Sequence, residues 1–187
     1  MKMTGEFRKH SNVFAAATLL LFGAALCVAA QNAPQNDETS SEACTKSAWE
    51  LYNKKDYTGA AKKARSCIYF FQGKAWDLEK ELEGKETLPP TGEVPDEKER
   101  QKIFKRGQLN DVATGYFIVG SSYEHLYLKK TEAGSKKDDE DKSAAIEAYK
   151  SACKYKYART AETNLASFWS PAQESSYALQ RLGSQCP

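Results

Sequence analysis

Cysteines are the residues of this chain whose type and spacing most directly imply chemistry. Of the five, Cys44, Cys67, Cys153 and Cys186 lie beyond residue 30. An even set of thiols in an oxidising compartment can close into two disulfides, with three pairings to choose from. Helix geometry selects among them. If residues 43–54 and 57–71 form an antiparallel hairpin turning near Asp56, Cys44 and Cys67 stand almost equidistant from the turn and meet at its open end. Cys153 and Cys186 stand in a similar relation about a turn near Ser167–Ser170. Each bridge contributes about 2–4 kcal/mol by constraining the unfolded chain.

Other reactive chemistry is sparse. His125 is the one histidine beyond residue 30, so a two-His metal site cannot be built within one subunit. It has no nucleophile-elbow motif to serve, which leaves a Ser-His-Asp triad unsupported. No Gly-rich phosphate loop and no haem-attaching Cys-x-x-Cys-His are present. The run Asp138-Asp139-Glu140-Asp141 lacks the alternating ligands and central Gly of a calcium loop, so no metal is expected. Glu79 and Glu83 share a helix among lysines and read as a solvated face. Neither catalytic residues nor a cofactor is therefore expected. The aromatics say more. Tyr69, Phe70, Phe71 and Trp76 crowd one stretch, Tyr116, Phe117, Tyr123 and Tyr127 another, and Phe168-Trp169 precedes the last helix. Most must be core, and the remainder can line a groove.

The elements that must position these residues are helical. Thr39-Ser40-Ser41-Glu42 reads as a capping box, after which Ala48 and Leu51 face inward. Asn53–Asp56 makes the turn, and a second helix brings Tyr57, Ala60, Ala64 and Cys67 to one side. It can continue to Leu82, but Gly84, Pro89, Pro90, Gly92 and Pro95 make the next stretch a loop. Asp96 caps a charged helix to about Arg106. Asn110 or Asp111 starts the next, reaching about Leu128, in which Tyr116, Val119, Gly120 and Tyr123 fall at i, i+3, i+4 and i+7 on one stripe. Gly120 lets a neighbouring backbone come close, with Ala145 as its expected neighbour. Lys129–Lys142 reads as a solvated loop. Ser143–Tyr155 then resumes the helix with Ala145, Tyr149 and Ala152. Ser170-Pro171-Ala172-Gln173 is a strong helix start, opening a closing helix with Tyr177, Leu179 and Leu182.

The N-terminus reads as a secretory signal over residues 1–30. Lys2, Arg8 and Lys9 precede an apolar run from Val13 to Val28, with a cut expected after Ala30. The run is short of the roughly 20 apolar residues of a membrane span, so no stable span is expected after cleavage. Acylation of Cys27 is the lipoprotein alternative, disfavoured by Leu26 before it. Of 27 basic and 25 acidic residues, removal of Lys2, Arg8, Lys9 and Glu6 leaves 24 of each. A chain with zero net charge has no long-range field to gather nucleic acid or anionic lipid. Residues 31–41 are a polar leader, and 42–187 suit one domain.

The bulky–x2–apolar–small–x2–aromatic pattern at Tyr116, Val119, Gly120 and Tyr123 is followed by small–x3–aromatic–x2–small at Ala145, Tyr149 and Ala152. This resembles the tetratricopeptide repeat. Lys55–Ala60 is similar to that repeat's inter-helix turn, commonly Gly-Asp-Tyr-x-x-Ala, with Lys55 in place of the Gly and Cys44 in place of the usual bulky residue. Ala48, Leu51, Tyr57, Ala60 and Ala64 hold the packing positions of the first pair. The resemblance implies an all-α fold: antiparallel helix pairs stacked as a short right-handed array, closed by a C-terminal capping helix. It also implies a non-enzymatic scaffold, secreted or periplasmic in a bacterium, that binds a protein or peptide partner in its groove. An envelope enzyme or a glycan-binding module would use an aromatic groove too. Two convergent carboxylates beside Trp76 or Trp169 would favour that alternative.

Non-reducing peptide mapping is expected to return Cys44–Cys67 and Cys153–Cys186. Recovery of a peptide joining Cys44 to Cys153 would sink both hairpins.

Overall fold

The computed structural model describes residues 40–133, 139–163 and 165–187. The expected signal, its cut after Ala30, Cys27 and the leader as far as Thr39 lie outside the described residues, as do Gly134 and Asp138. Among the described residues the fold is mostly helical. The helices are α1 (Ser41–Asn53), α2 (Tyr57–Leu82), α3 (Glu97–Lys105), α4 (Gly107–Glu132), α5 (Asp139–Ala152) and α6 (Pro171–Arg181), and none is long and apolar enough to cross a membrane.

Local chemistry explains the helix starts. Ser40 caps α1 by accepting the Ala43 N–H at 3.2 Å, Asp56 caps α2 through the Gly59 N–H at 2.9 Å, and Ser170 caps α6 through the Gln173 N–H at 3.3 Å. The first cap falls one residue later than the expected box, which puts Glu42 in the first turn as a partner for the helix dipole. Lys55 closes the α1–α2 turn with φ of 62°, the left-handed region that favours glycine. Cys44 meets Cys67 with Cα atoms 5.7 Å apart, while Tyr52 meets Tyr57 across the turn. The two helices therefore run antiparallel. Helix α4 runs antiparallel to α2, since Arg65 lies over the Tyr123 ring and Gln72 accepts from the Tyr116 hydroxyl.

Several boundaries differ from expectation. Helix α4 starts at Gly107 rather than at Asn110 or Asp111, because both side chains are engaged elsewhere. Asn110 donates to the Ile103 carbonyl and accepts from the Arg159 N–H, while Asp111 accepts from Ser41. The expected loop Lys129–Lys142 is helical at both ends, as α4 continues to Glu132 and α5 begins at Asp139. At the closing helix Leu179 and Leu182 are buried and Tyr177 is exposed. The expected turn at Ser167–Ser170 is instead a strand. Three short strands, β1 (Gly92–Glu93), β2 (Thr160–Ala161) and β3 (Ser167–Trp169), pair antiparallel in the order β1-β3-β2, with Gly92 opposite Phe168 and Thr160 opposite Trp169.

The core follows the helix faces. Ala48, Ala60, Ala64 and Val119 are buried where α1, α2 and α4 meet, with Leu51, Tyr116 and Tyr123 half-buried against them. Ala145, Tyr149 and Cys153 pack on Ala178 and Leu179 of α6. Ala152 is fully buried. Cys153 joins Cys186 with Cα atoms 5.9 Å apart, which ties the end of α5 to the C-terminus. Both bridges are compatible with an extracellular or periplasmic protein.

What Gly120 admits is a side chain rather than a backbone. A Cβ placed there would stand 2.6 Å from Tyr149 Cδ1, so even alanine overlaps the ring. In α2, Gly73 has nothing within 4 Å of the same position. Gly120→Ala is thus expected to destabilise by about 1–3 kcal/mol through overpacking, whereas Gly73→Ala should stabilise by about 0.5–1 kcal/mol as an ordinary helix substitution. Thermal melts read both signs. Equal shifts in the two variants would refute the α4–α5 contact.

Candidate functional site

A mixed aromatic and polar cleft runs between α1, the first half of α4 and the small sheet. It comprises two adjoining hollows of about 490 and 460 Å³ that share Trp49, Thr160 and Ala161. Helix periodicity puts Glu42, Thr45, Lys46 and Trp49 on the α1 wall, at i, i+3, i+4 and i+7. Gly107, Asn110, Asp111 and Thr114 repeat the spacing on α4. Strands β2 and β3, with the turn between them, supply Thr160, Ala161, Leu165 and Phe168, and Trp169 lines the neighbouring hollow. Trp49, Phe117 and Trp169 form one ring cluster, with Trp49–Trp169 centroids 6.4 Å apart and Phe117–Trp169 centroids 5.0 Å apart. Phe104 leans on Phe168 at the opposite end.

Asp111 is the chemically distinctive group. Its Oδ2 accepts from Ser41 Oγ at 2.6 Å. Burial pushes its carboxyl up to about 6; the Ser41 bond opposes that shift and the nearby Glu42 charge adds to it. Around it the polar wall is satisfied internally. Thr114 Oγ1 donates to the Asn110 carbonyl at 2.7 Å and meets Thr160 Oγ1 at 2.6 Å.

The sheet side of the cleft is held by buried charges that sequence reasoning missed. Glu79, expected on a solvated face, is only 4% exposed. Its carboxylate accepts from the Lys156 and Tyr157 N–H groups at 2.7 and 3.2 Å, and burial raises its pKa. Glu83 behaves as expected, exposed and paired with Lys80 at 2.8 Å. Arg159 donates to the carbonyls of Pro89, Pro90, Lys156 and Ala158. Burial, then the neighbouring Arg106, pulls its guanidinium down to about 10. Arg106 in turn reaches Glu86 at 2.5 Å and the Tyr157 carbonyl at 3.3 Å. A lone arginine or glutamate in a charged stretch carries no local signal of these distant partners.

The other residues singled out in the sequence lie apart from the cleft. His125 stacks on Tyr57 with centroids 4.5 Å apart and meets the Tyr52 hydroxyl at 3.0 Å; that hydroxyl also pairs with Ser121 at 2.6 Å. These contacts make His125 a joint between α4 and the α1–α2 turn, with no carboxylate to orient it. Trp76 is part-exposed on α2 with Lys80 over its ring, and Tyr69 and Phe70 are exposed earlier on the same helix. Among the described residues no group of three or more His, Cys, Asp or Glu is placed to hold a metal ion.

Comparison with protein-family models, with curated proteins and with solved structures finds no match to this chain.

The Asp111 carboxyl makes a stability prediction with a definite sign. Its folded pKa is raised from 3.8 to about 6, so its contribution favours the fold below about pH 4 and is lost as pH rises through about 6. Asp111→Asn should therefore raise the melting temperature at pH 7.5, by up to roughly 3 kcal/mol of stability, and change it little at pH 3.5. An equal effect at both pH values would show that the carboxylate is not strained by burial.

Proposed function

We propose that this chain is an exported, non-enzymatic binding scaffold of tetratricopeptide type, which takes a protein or peptide partner in the cleft between α1 and α4. On this reading α1–α2 and α4–α5 are the stacked helix pairs of a short right-handed array, and α6 is its capping helix. The observation that carries the proposal is the cleft itself. It is walled by the first helix of each pair, and concave surfaces of this kind are the usual ligand face of helical repeat arrays. Two part-exposed tryptophans, Trp49 and Trp169, give it the aromatic anchors on which binding surfaces concentrate affinity. The balanced charge of residues 31–187 supports a polypeptide partner over nucleic acid. Secretion to the periplasm or beyond is supported by the signal-like N-terminus and the two disulfides.

One observation favours a second reading as a glycan-binding module. Glu42 and Asp111 line the hollow adjoining the one that holds Trp169, and carboxylates beside a tryptophan suit sugar hydroxyls as well as peptides.

Site-specific photo-crosslinking separates these. A photoreactive side chain at Leu165, exposed on the cleft rim, should capture a polypeptide from a bacterial envelope fraction, and one at Phe70 on α2 should not. Capture from Phe70 alone would move the recognition face to α2. Retention of the chain on insoluble cell-wall glycan, with no crosslinked polypeptide, would establish the second reading instead.

A further inference from the structure

The Asp111 hollow has a feature that narrows what can fill it. Its carboxylate has one oxygen held by Ser41, and no hydrogen bond from the described residues reaches Oδ1. The charged groups around the hollow are Glu42 and Lys46 of α1 and Arg159 beside β2. Arg159 spends its donors on four backbone carbonyls. Glu42, of like sign, adds to the burial that raises the Asp111 pKa, and among the described residues neither Lys46 nor Arg159 is hydrogen-bonded to that carboxylate. The site therefore holds a largely buried carboxylate with no ion pair from the described residues, in a hollow of about 460 Å³ whose walls include the rings of Trp49 and Phe104. Aromatic faces attract cations, and desolvation strengthens both that attraction and the ion pair. Elsewhere in the molecule such rings already have cations: Arg65 lies over Tyr123 and Lys80 over Trp76.

We infer that the hollow beside Asp111 receives the ammonium or guanidinium group of a lysine or arginine side chain presented by the polypeptide partner. This rests on the reading of the cleft as the recognition face and adds the chemistry it selects. The Asp111 carboxylate pairs with the incoming cation, Glu42 adds a second negative charge at the mouth, and Trp49 packs along the aliphatic stem. A neutral partner side chain leaves the carboxylate uncompensated. Cation binding requires the ionised carboxylate, so the affinity rises with pH through the Asp111 titration near 6.

The test uses the full chain and the probes acetyl-Gly-Gly-Xaa-Gly-Gly-amide with Xaa as Lys, Arg or Gln, followed by the indole N–H resonances of the three tryptophans. Variants Trp49→Phe, Trp76→Phe and Trp169→Phe assign those signals, and Trp76 serves as the internal control outside the cleft. The Lys and Arg probes are expected to shift Trp49 and to bind about tenfold tighter at pH 7 than at pH 5, while the Gln probe leaves it still. Asp111→Asn should abolish the preference for a cation, with a melting curve confirming the fold. Ser41→Ala, which removes the hydroxyl that steadies the carboxylate, should move the pH midpoint upward. Equal binding of Gln and Lys probes at the cleft would overturn the cation and leave the cleft as recognition face. Shifts confined to Trp76 would overturn the cleft reading itself. Cadaverine binding tenfold tighter than the Lys probe would overturn the peptide source in favour of a free polyamine.

Discussion

The ring of Tyr149 occupies the space that Gly120 leaves bare, and this contact sets how closely α5 approaches α4. Tyr149 is only 1% exposed, and its hydroxyl donates at 2.6 Å to Glu124, which Arg181 of α6 also contacts. Burial, reinforced by the bond to Glu124, holds the phenol firmly protonated, so it remains a donor at any working pH. One side chain thus sets the spacing of two helices and ties them to a third. Everything downstream inherits that placement. Cys153, Tyr155, Tyr157 and Arg159 follow within a few residues, and they carry the chain into β2 and the far wall of the cleft.

That wall is made of strands only two or three residues long, which cannot hold themselves in water. Their support comes from buried charge. Glu79 binds two backbone N–H groups just after α5, while Arg159 binds four carbonyls, two just before it at Lys156 and Ala158 and two in the Pro89–Pro90 segment. Arg106 adds the link to Glu86 and Tyr157. Glu79 and Arg159 are each stabilised by several backbone dipoles rather than by a single counter-ion, whereas Arg106 pairs with the Glu86 carboxylate and one carbonyl. The desolvation cost is spread over groups that would otherwise be buried without partners. The opposite wall is a helix fastened by Cys44–Cys67. The cleft therefore lies between two rigid sides fixed by different chemistry.

Sequence reasoning saw the parts that repeat and missed the parts that reach. The stripe at Tyr116, Val119, Gly120 and Tyr123 was legible because helical period and residue size coincide there. Cys44–Cys67 is legible because hairpin symmetry brings its positions together, whereas Cys153–Cys186 forms although the turn expected between them is a strand. The strands are not legible, since two residues carry no alternation to read. Glu79 looked like one more charge on a lysine-rich helix, and its partners stand 77 and 78 residues away. Asn110 and Asp111 are both residue types that favour a helix start, yet the Asp111 carboxylate is drawn across to Ser41 on α1. In each miss a long-range partner overrode a local preference.

Asp111 also shows where this architecture departs from its own pattern. Every other buried charge named here is met by donors or acceptors that match it. Tyr149 meets Glu124, Glu79 meets two amides, and Arg159 meets four carbonyls. Asp111 has one hydroxyl and a like-charged neighbour, at the place where α1, α4 and the sheet leave a gap. A packed core would close that gap or replace the acid, because an uncompensated carboxylate lowers stability at neutral pH. Its position in an open, aromatic-lined hollow makes the deficit local and recoverable, since a ligand of opposite charge restores what folding leaves unmet. On the proposed reading of the cleft, stability withheld at one carboxylate becomes selectivity for the cation that enters beside it, the trade that binding sites make against the fold that carries them.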